Sequence, residues 1–189
     1  MKEKKMAEQL NQELESPQVI VHKLDFLKSS GFISIGTILS LQQNGFPDIE
    51  TLNACGVYSM VKPVNYNPEY FSPSEAKDNG NVIAPWDIER LTRKWVDDAD
   101  ILYYGLAGAN SPRSLKSRLK DLVNHSMGFV TDRGPHKGGE IIWQLSGYEN
   151  FEIWVLATGN PPAPRILEEK LIRQFYQSTG KLPFANRQF

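Results

Sequence analysis

The sequence predicts an α/β (α+β) fold, a small mixed or antiparallel sheet flanked by helices. Three observations predict it. The runs Cys55–Val61 and Ile101–Gly108 are short, apolar and rich in Val, Ile and Tyr, which marks strands. Residues 113–126 and 165–177 place apolar residues at helical spacing. The two kinds of segment succeed one another along the chain, which is the order of helices laid against a sheet.

Taken in order, residues 1–15 are polar and rich in Glu, Lys and Gln, and read as a frayed helix or a tail. A short apolar run follows at Val19–Val21. Ile33, Ile35, Ile38, Leu39 and Leu41 predict a helix from about Ser34, stopped near Gly45 and Pro47. CGVYSMV predicts a strand closed by Pro63. Residues 63–85 are rich in Pro, Asn, Ser and Gly and read as an irregular insertion. Ile88, Leu91 and Trp95 predict a short amphipathic helix after Pro85, and ILYYGLAG the next strand. Leu115, Leu119, Leu122 and Val123 form one apolar stripe, and Gly128 follows that helix. IIWQL and FEIWVLAT, with Ser146-Gly147 between them, read as strands. The last helix runs from about Arg165 to Gln177, with Gly180 ending it and Pro183 beyond.

Composition bounds the function. The chain has 189 residues, 40 % of them hydrophobic and 23 % charged, enough for one globular domain with a sizeable core. Collagenous, low-complexity and globally disordered classes are excluded. No run of about 18 apolar residues predicts a transmembrane helix, and MKEKKMAEQLNQELES lacks the apolar region of a secretory signal. The expectation is a cytoplasmic protein with no membrane partner. The single cysteine, Cys55, excludes an intramolecular disulfide framework and a Cys-rich zinc site, and reads as a small core residue. No P-loop or G-x-G-x-x-G supports use of ATP or a dinucleotide.

The formal net charge of −1 hides an asymmetry. Residues 1–100 carry ten Lys/Arg against fifteen Asp/Glu, and residues 101–189 eleven against seven. Arg113, Lys116, Arg118, Lys120, Arg133 and Lys137 cluster in one window, with His125 and His136 among them. Such a stripe suits phosphate binding. A solvated helix face carries the same pattern, so the charge permits that reading without requiring it.

Helix geometry sorts the candidates for chemistry. At about 100° per residue, Glu168 falls inside the arc of Leu167, Leu171, Phe175 and Ile172, while Glu169 falls on the polar side. A carboxylate on a packed face is costly unless it is paired or holds a metal. Glu168 therefore reads either as a boundary residue, with its tip in water or paired to an Arg, or as a metal ligand. Glu169, Lys170 and Arg173 read as solvated charges. Arg118 lies at the rim of its helix's apolar stripe, where it either lies over the core or presents a guanidinium to a phosphate. His125 shares its face, whereas Arg113, Lys116 and Lys120 point elsewhere and suit a nucleic-acid backbone. Tyr58, Tyr103 and Tyr104 sit in strands, where tyrosine is ordinarily a packing residue. His22 and His136 belong to no ligand pattern.

Taken together these residues resemble the GIY-YIG nuclease superfamily. Gly56-Val57-Tyr58 matches the first signature and Tyr103-Tyr104-Gly105 the second, with Tyr104 where the family often has Ile. Arg118 in SLKSRLKDL, Glu168 in LEEKLIRQF and Asn186 in LPFAN match the family's later elements. The resemblance covers about residues 54–187. The stretch between Tyr58 and Tyr103 is longer than the family's, so an insertion of about 63–97 is expected to loop out. Leu122 stands where many members carry a His or Tyr, and His125 is the auxiliary candidate in its place.

The resemblance divides the chain into an N-terminal extension, 1–53, expected from its position to touch DNA, and a catalytic domain, 54–189. It implies hydrolysis of DNA phosphodiester bonds with Mg²⁺ or Mn²⁺ held by Glu168. Tyr58 would activate water, Tyr103 would assist it, Arg118 would clamp the phosphate and Asn186 would brace the site. Arg113, Lys116, Lys120, Arg133 and Lys137 would follow the DNA backbone. The long insertion and N-terminal segment resemble the restriction-enzyme branch, whose double-strand cutting of a palindrome implies a homodimer or paired monomers on double-stranded DNA. The alternatives are a repair or mobile-element nuclease, a non-catalytic nucleic-acid-binding module keeping the fold, and an unrelated α/β domain whose motifs are coincidental.

Overall fold

The computed structural model describes residues 2–14, 20–78, 82–132 and 134–189. Val19 and Arg133 lie outside the described residues. The elements are α1 (Lys2–Glu13), α2 (Leu24–Ser29), β1 (Ile33–Thr37), α3 (Ile38–Asn44), β2 (Gly56–Val61), α4 (Pro73–Asp78), α5 (Ile88–Lys94), β3 (Ile101–Ala107), α6 (Leu115–Ser126), α7 (Gly139–Ile142), β4 (Glu152–Ala157) and α8 (Ala163–Thr179). The four strands form one antiparallel sheet in the order β1-β4-β2-β3. Helices cover both faces, so the mixed α/β architecture holds and its sheet is purely antiparallel.

Each face has its own core. On one, Tyr58, Met60, Tyr103, Ile153 and Val155 pack with Ile38 and Leu41 of α3, Leu119 and Leu122 of α6 and Ile141 and Ile142 of α7. On the other, Val57, Val61, Tyr104 and Leu156 pack with Leu167, Leu171 and Phe175 of α8 and with Leu10, Phe26 and Leu27. Strand alternation produces this split, since neighbours along a strand face opposite ways. Tyr103 and Tyr104 are thereby separated: Tyr104 turns away from Tyr103 and donates its hydroxyl to the Val21 carbonyl at 2.5 Å.

Three expectations are corrected. The helix expected from Ser34 begins at Ile38, and Ile33–Thr37 is the edge strand β1, paired with β4. Thr37 ends the strand and caps α3, its hydroxyl accepting the Ser40 N–H at 3.1 Å. IIWQL is not a strand: Gly139–Ile142 is a helical turn, and Ile141 through Leu145 are buried on every side. An apolar run buried all round has no period with which to declare itself. Residues 63–78 and 82–97 do not loop out. They contain α4 and α5 and pack onto the α7 segment through Tyr66, whose hydroxyl donates to the Ser146 carbonyl at 2.7 Å, and Phe71, whose N–H donates to the Gln144 carbonyl at 2.9 Å.

The N-terminal segment is built into the same cores. It supplies β1 to the sheet, and Lys170 of α8 donates to the Asn11 carbonyl at 2.9 Å. At the other end, β3 is an edge strand, and its open side would be a template for another chain. The C-terminal tail covers it. Ala185 donates its N–H to the Leu102 carbonyl at 2.9 Å. The Asn186 amide then acts as a strand partner, accepting the Tyr104 N–H at 3.0 Å and donating to the Tyr104 carbonyl at 2.9 Å. Among the described residues, no helix is long and apolar enough to cross a membrane.

Candidate active site

The two helical layers meet at the β3 edge. There α6 from one face and α8 from the other bound a cleft of about 400 Å³ lined by Tyr103, Arg113, Arg118, Arg165 and Glu168. A neighbouring cleft runs from Glu168 and Arg165 to Lys137, Asn186 and Arg187. Each side chain reaches this edge for a local reason. Ser114 caps α6, accepting the Ser117 N–H at 3.2 Å, and so fixes the rotation that brings Arg118 to the rim. Gly180, at φ 72°, closes α8 by donating to the Tyr176 carbonyl at 2.8 Å.

Tyr58 is fully buried beneath the cleft on the central strand β2. Gly105 sits opposite it on β3, and a Cβ there would lie 2.6 Å from the Tyr58 hydroxyl and 2.6 Å from the Tyr103 ring. The glycine of Tyr103-Tyr104-Gly105 is thus the space in which the two phenols meet. Their rings are 5.9 Å apart. Gly138 does the same from the other side, because a Cβ on it would be 2.6 Å from the Tyr103 ring.

The Tyr58 oxygen is a convergence of donors. Tyr103 and the Arg118 guanidinium lie close enough to act on it electrostatically. His136 Nε2 lies 2.7 Å away. The Gly139 N–H donates to His136 Nδ1 at 3.1 Å, so the ring proton resides on Nε2 and points at Tyr58. Burial, then the Arg118 and His125 neighbours, hold His136 well below its ordinary pKa, which keeps the ring neutral. Burial raises the Tyr58 hydroxyl, and Glu168 raises it further, while Arg118 and the bond from Tyr103 pull it down. Burial, Tyr58 and Glu168 all push Tyr103 up, so it stays a donor. Burial opposes the charge on Arg118, yet its tyrosine neighbours outweigh that cost and its pKa rises.

Glu168 is held by no hydrogen bond or ion pair among the described residues, although Arg165 and Arg118 lie near enough to favour its charge. Burial dominates and pushes its pKa up to about 7. Glu169, one residue on, is tied to Arg173 at 2.7 Å on the outer side. Among the described residues no cluster of three or more His, Cys, Asp and Glu exists. A lone half-buried carboxylate opening on a cleft suits a hard divalent cation that keeps most of its waters and takes further oxygens from a substrate. It does not suit zinc, which needs three or four protein ligands.

The structure thus brings together Tyr58, Tyr103, Arg118 and Glu168, with Asn186 bracing β3 behind them. It places other candidates elsewhere. His125 is buried, accepting the Trp143 indole N–H at 3.2 Å, and lines neither cleft. Arg113 reaches the cleft while paired with Asp121. Lys116 and Lys120 lie along a separate shallow groove with Ser117 and Asn124. Lys137 lines the Glu168 side and pairs with Glu140 at 3.7 Å. Arg133 falls outside the described residues. Sequence reasoning missed His136 and Arg165. A histidine in the loop GPHKGG carries no pattern of its own, but its neighbours Gly138 and Gly139 mark a close backbone approach. Comparison with protein-family models, curated proteins and solved structures finds no match to this chain.

Proposed function

We propose that this chain is a metal-dependent DNA endonuclease of the GIY-YIG type, and within that type a sequence-specific, restriction-type enzyme. The observation that carries the reading is the meeting of Tyr103, Arg118 and Glu168, from β3, α6 and α8, at one cleft on the sheet edge, with Tyr58 of β2 buried behind them and within their electrostatic reach. These are the residues that the resemblance assigned to chemistry. The antiparallel sheet and the tail that places Asn186 behind Tyr104 support the same reading.

Hydrolysis of a phosphodiester needs an activated water, stabilisation of charge on the phosphorus oxygens and help for the leaving oxygen. Glu168 would hold Mg²⁺ or Mn²⁺, which would supply Lewis-acid charge at the phosphate. Arg118 presents a planar fork to the phosphate oxygens and offsets their growing charge. Tyr58, when ionised, takes the proton of the attacking water, and the donors from Arg118, Tyr103 and His136 hold the phenolate. Burial is the main cause that raises the Tyr58 pKa and the Glu168 charge a lesser one, which a cation held by Glu168 would offset.

Incubation of the protein with mixed-sequence plasmid and phage DNA, with Mg²⁺, Mn²⁺ or EDTA, tests the reading. Discrete fragments are expected with either metal, none with EDTA and none from Glu168→Ala, which keeps its DNA binding. Binding without cutting would replace the enzyme with a binding module. Because Glu169 faces away and pairs with Arg173, Glu169→Ala is expected to cut at the native rate; a dead Glu169→Ala with an active Glu168→Ala would reverse the assignment.

A further inference from the structure

A third cleft, of about 400 Å³, lies beyond the catalytic edge and is lined by Trp86, Arg90, Arg93, Lys94 and Arg187. Three cations flank one indole. The Arg90 guanidinium lies 3.4 Å from the Trp86 ring centre, Arg187 5.4 Å and Lys94 5.8 Å. The arrangement is built. Gln144, fully buried, clamps the Trp86 backbone, accepting its N–H at 2.7 Å and donating to its carbonyl at 2.8 Å. Lys94 Nζ is held on the Asn186 carbonyl at 2.7 Å, and Arg187 on the buried carboxylate of Glu140.

Glu89 pairs with Arg93 and Glu140 with Arg187, which leaves Arg90 and Lys94 with no carboxylate partner among the described residues. Burial, together with Arg90 and Arg187, lowers Lys94 to about 8. Like charges held this close are stabilised by an anion. Stacked on Trp86, the Arg90 fork keeps its edge donors free for one. Arg187 lines this cleft and also the one containing Glu168, so a polyanion leaving the catalytic edge passes directly onto α5.

We propose that this cleft, on the segment between β2 and β3, binds a backbone phosphate of the DNA strand that lies across the Glu168 cleft. The proposal rests on the nuclease reading for the identity of the strand. The polymer is favoured over a free phosphate because the two clefts adjoin and share Arg187.

The test is a titration of labelled mixed-sequence duplex DNA into the Glu168→Ala protein, alone and with Arg90→Glu or Lys62→Glu added, at several salt concentrations, with thermal melting to check folding. Lys62, just after β2, lines none of these clefts, and its substitution changes the net charge equally. Arg90→Glu is expected to weaken binding about tenfold or more and to make the salt slope shallower by about 1, while Lys62→Glu does neither. Folded Arg90→Glu protein that binds with native affinity and slope overturns the proposal, as does an equal loss from Lys62→Glu. Inorganic phosphate that protects the cleft without any Arg90 dependence of DNA binding makes it a site for a small anion and also overturns it. If the protein without the substitution at Glu168 never cuts yet its DNA binding still depends on Arg90, the nuclease reading fails and this site stands.

Discussion

Glu168→Gln is expected to abolish cleavage and to make the protein more stable above neutral pH. In the folded chain the Glu168 carboxyl titrates at about 7, against 4.5 in an unfolded one. A carboxylic acid whose pKa is raised by folding favours the native state fully below pH 4.5, and that contribution is lost as pH climbs through 7. Above pH 7 the native protein therefore carries a half-buried charge that the amide does not. The gain from Gln is about 2 kcal/mol, allowing for the part of the side chain that reaches solvent. Urea unfolding of both proteins at pH 4 and pH 8 measures it: coincident curves at the lower pH, a higher midpoint for Glu168→Gln at the upper. Mg²⁺ should raise the native midpoint at pH 8 and leave the variant's unchanged, because a ligand stabilises only the state that binds it. A variant less stable at pH 8, or one that still cuts, would overturn the metal assignment.

How far the sequence foretold this site depends on what fixed each residue. Glu168 was legible because α8 is a regular amphipathic helix in which Leu167, Leu171, Ile172 and Phe175 are all buried and set the wheel. Arg118 was legible for the same reason on α6. The tyrosines needed the resemblance, since residue type alone made all three packing residues. For Tyr104 that reading is correct. His136 was invisible because its partner Tyr58 is 78 residues away and the loop carrying it has no period. The α7 segment misled because a run buried on all sides reads the same as strand or helix. Residues 63–97 misled differently: Pro, Gly and Asn describe an irregular backbone, but Tyr66, Phe71 and Trp86 decide that it packs. Local composition sets conformation, while burial of aromatics sets position, and only the first can be read in a short window.

The second large effect is expected from Tyr58→Phe, a loss of at least about a thousandfold in cleavage with DNA binding retained. The substitution removes the one oxygen on which Arg118, Tyr103 and His136 converge and leaves a ring of the same shape in a site formed by Gly105. His136→Ala separates a chemical role for this oxygen from a packing one. Burial already raises the Tyr58 hydroxyl, and Arg118 and Tyr103 oppose it. Loss of the His136 donor lets it rise further, so the limb on which cleavage increases with pH should move to higher pH. Part of the lost rate should return there. Tyr103→Phe removes a second donor and should shift the limb in the same direction. Were His136 only a packing residue, its removal would lower the rate by one factor at every pH, and Tyr58 would then be an orienting group rather than the base. The comparison is informative because His136, neutral and buried, has no titration of its own in the working range to produce such a shift.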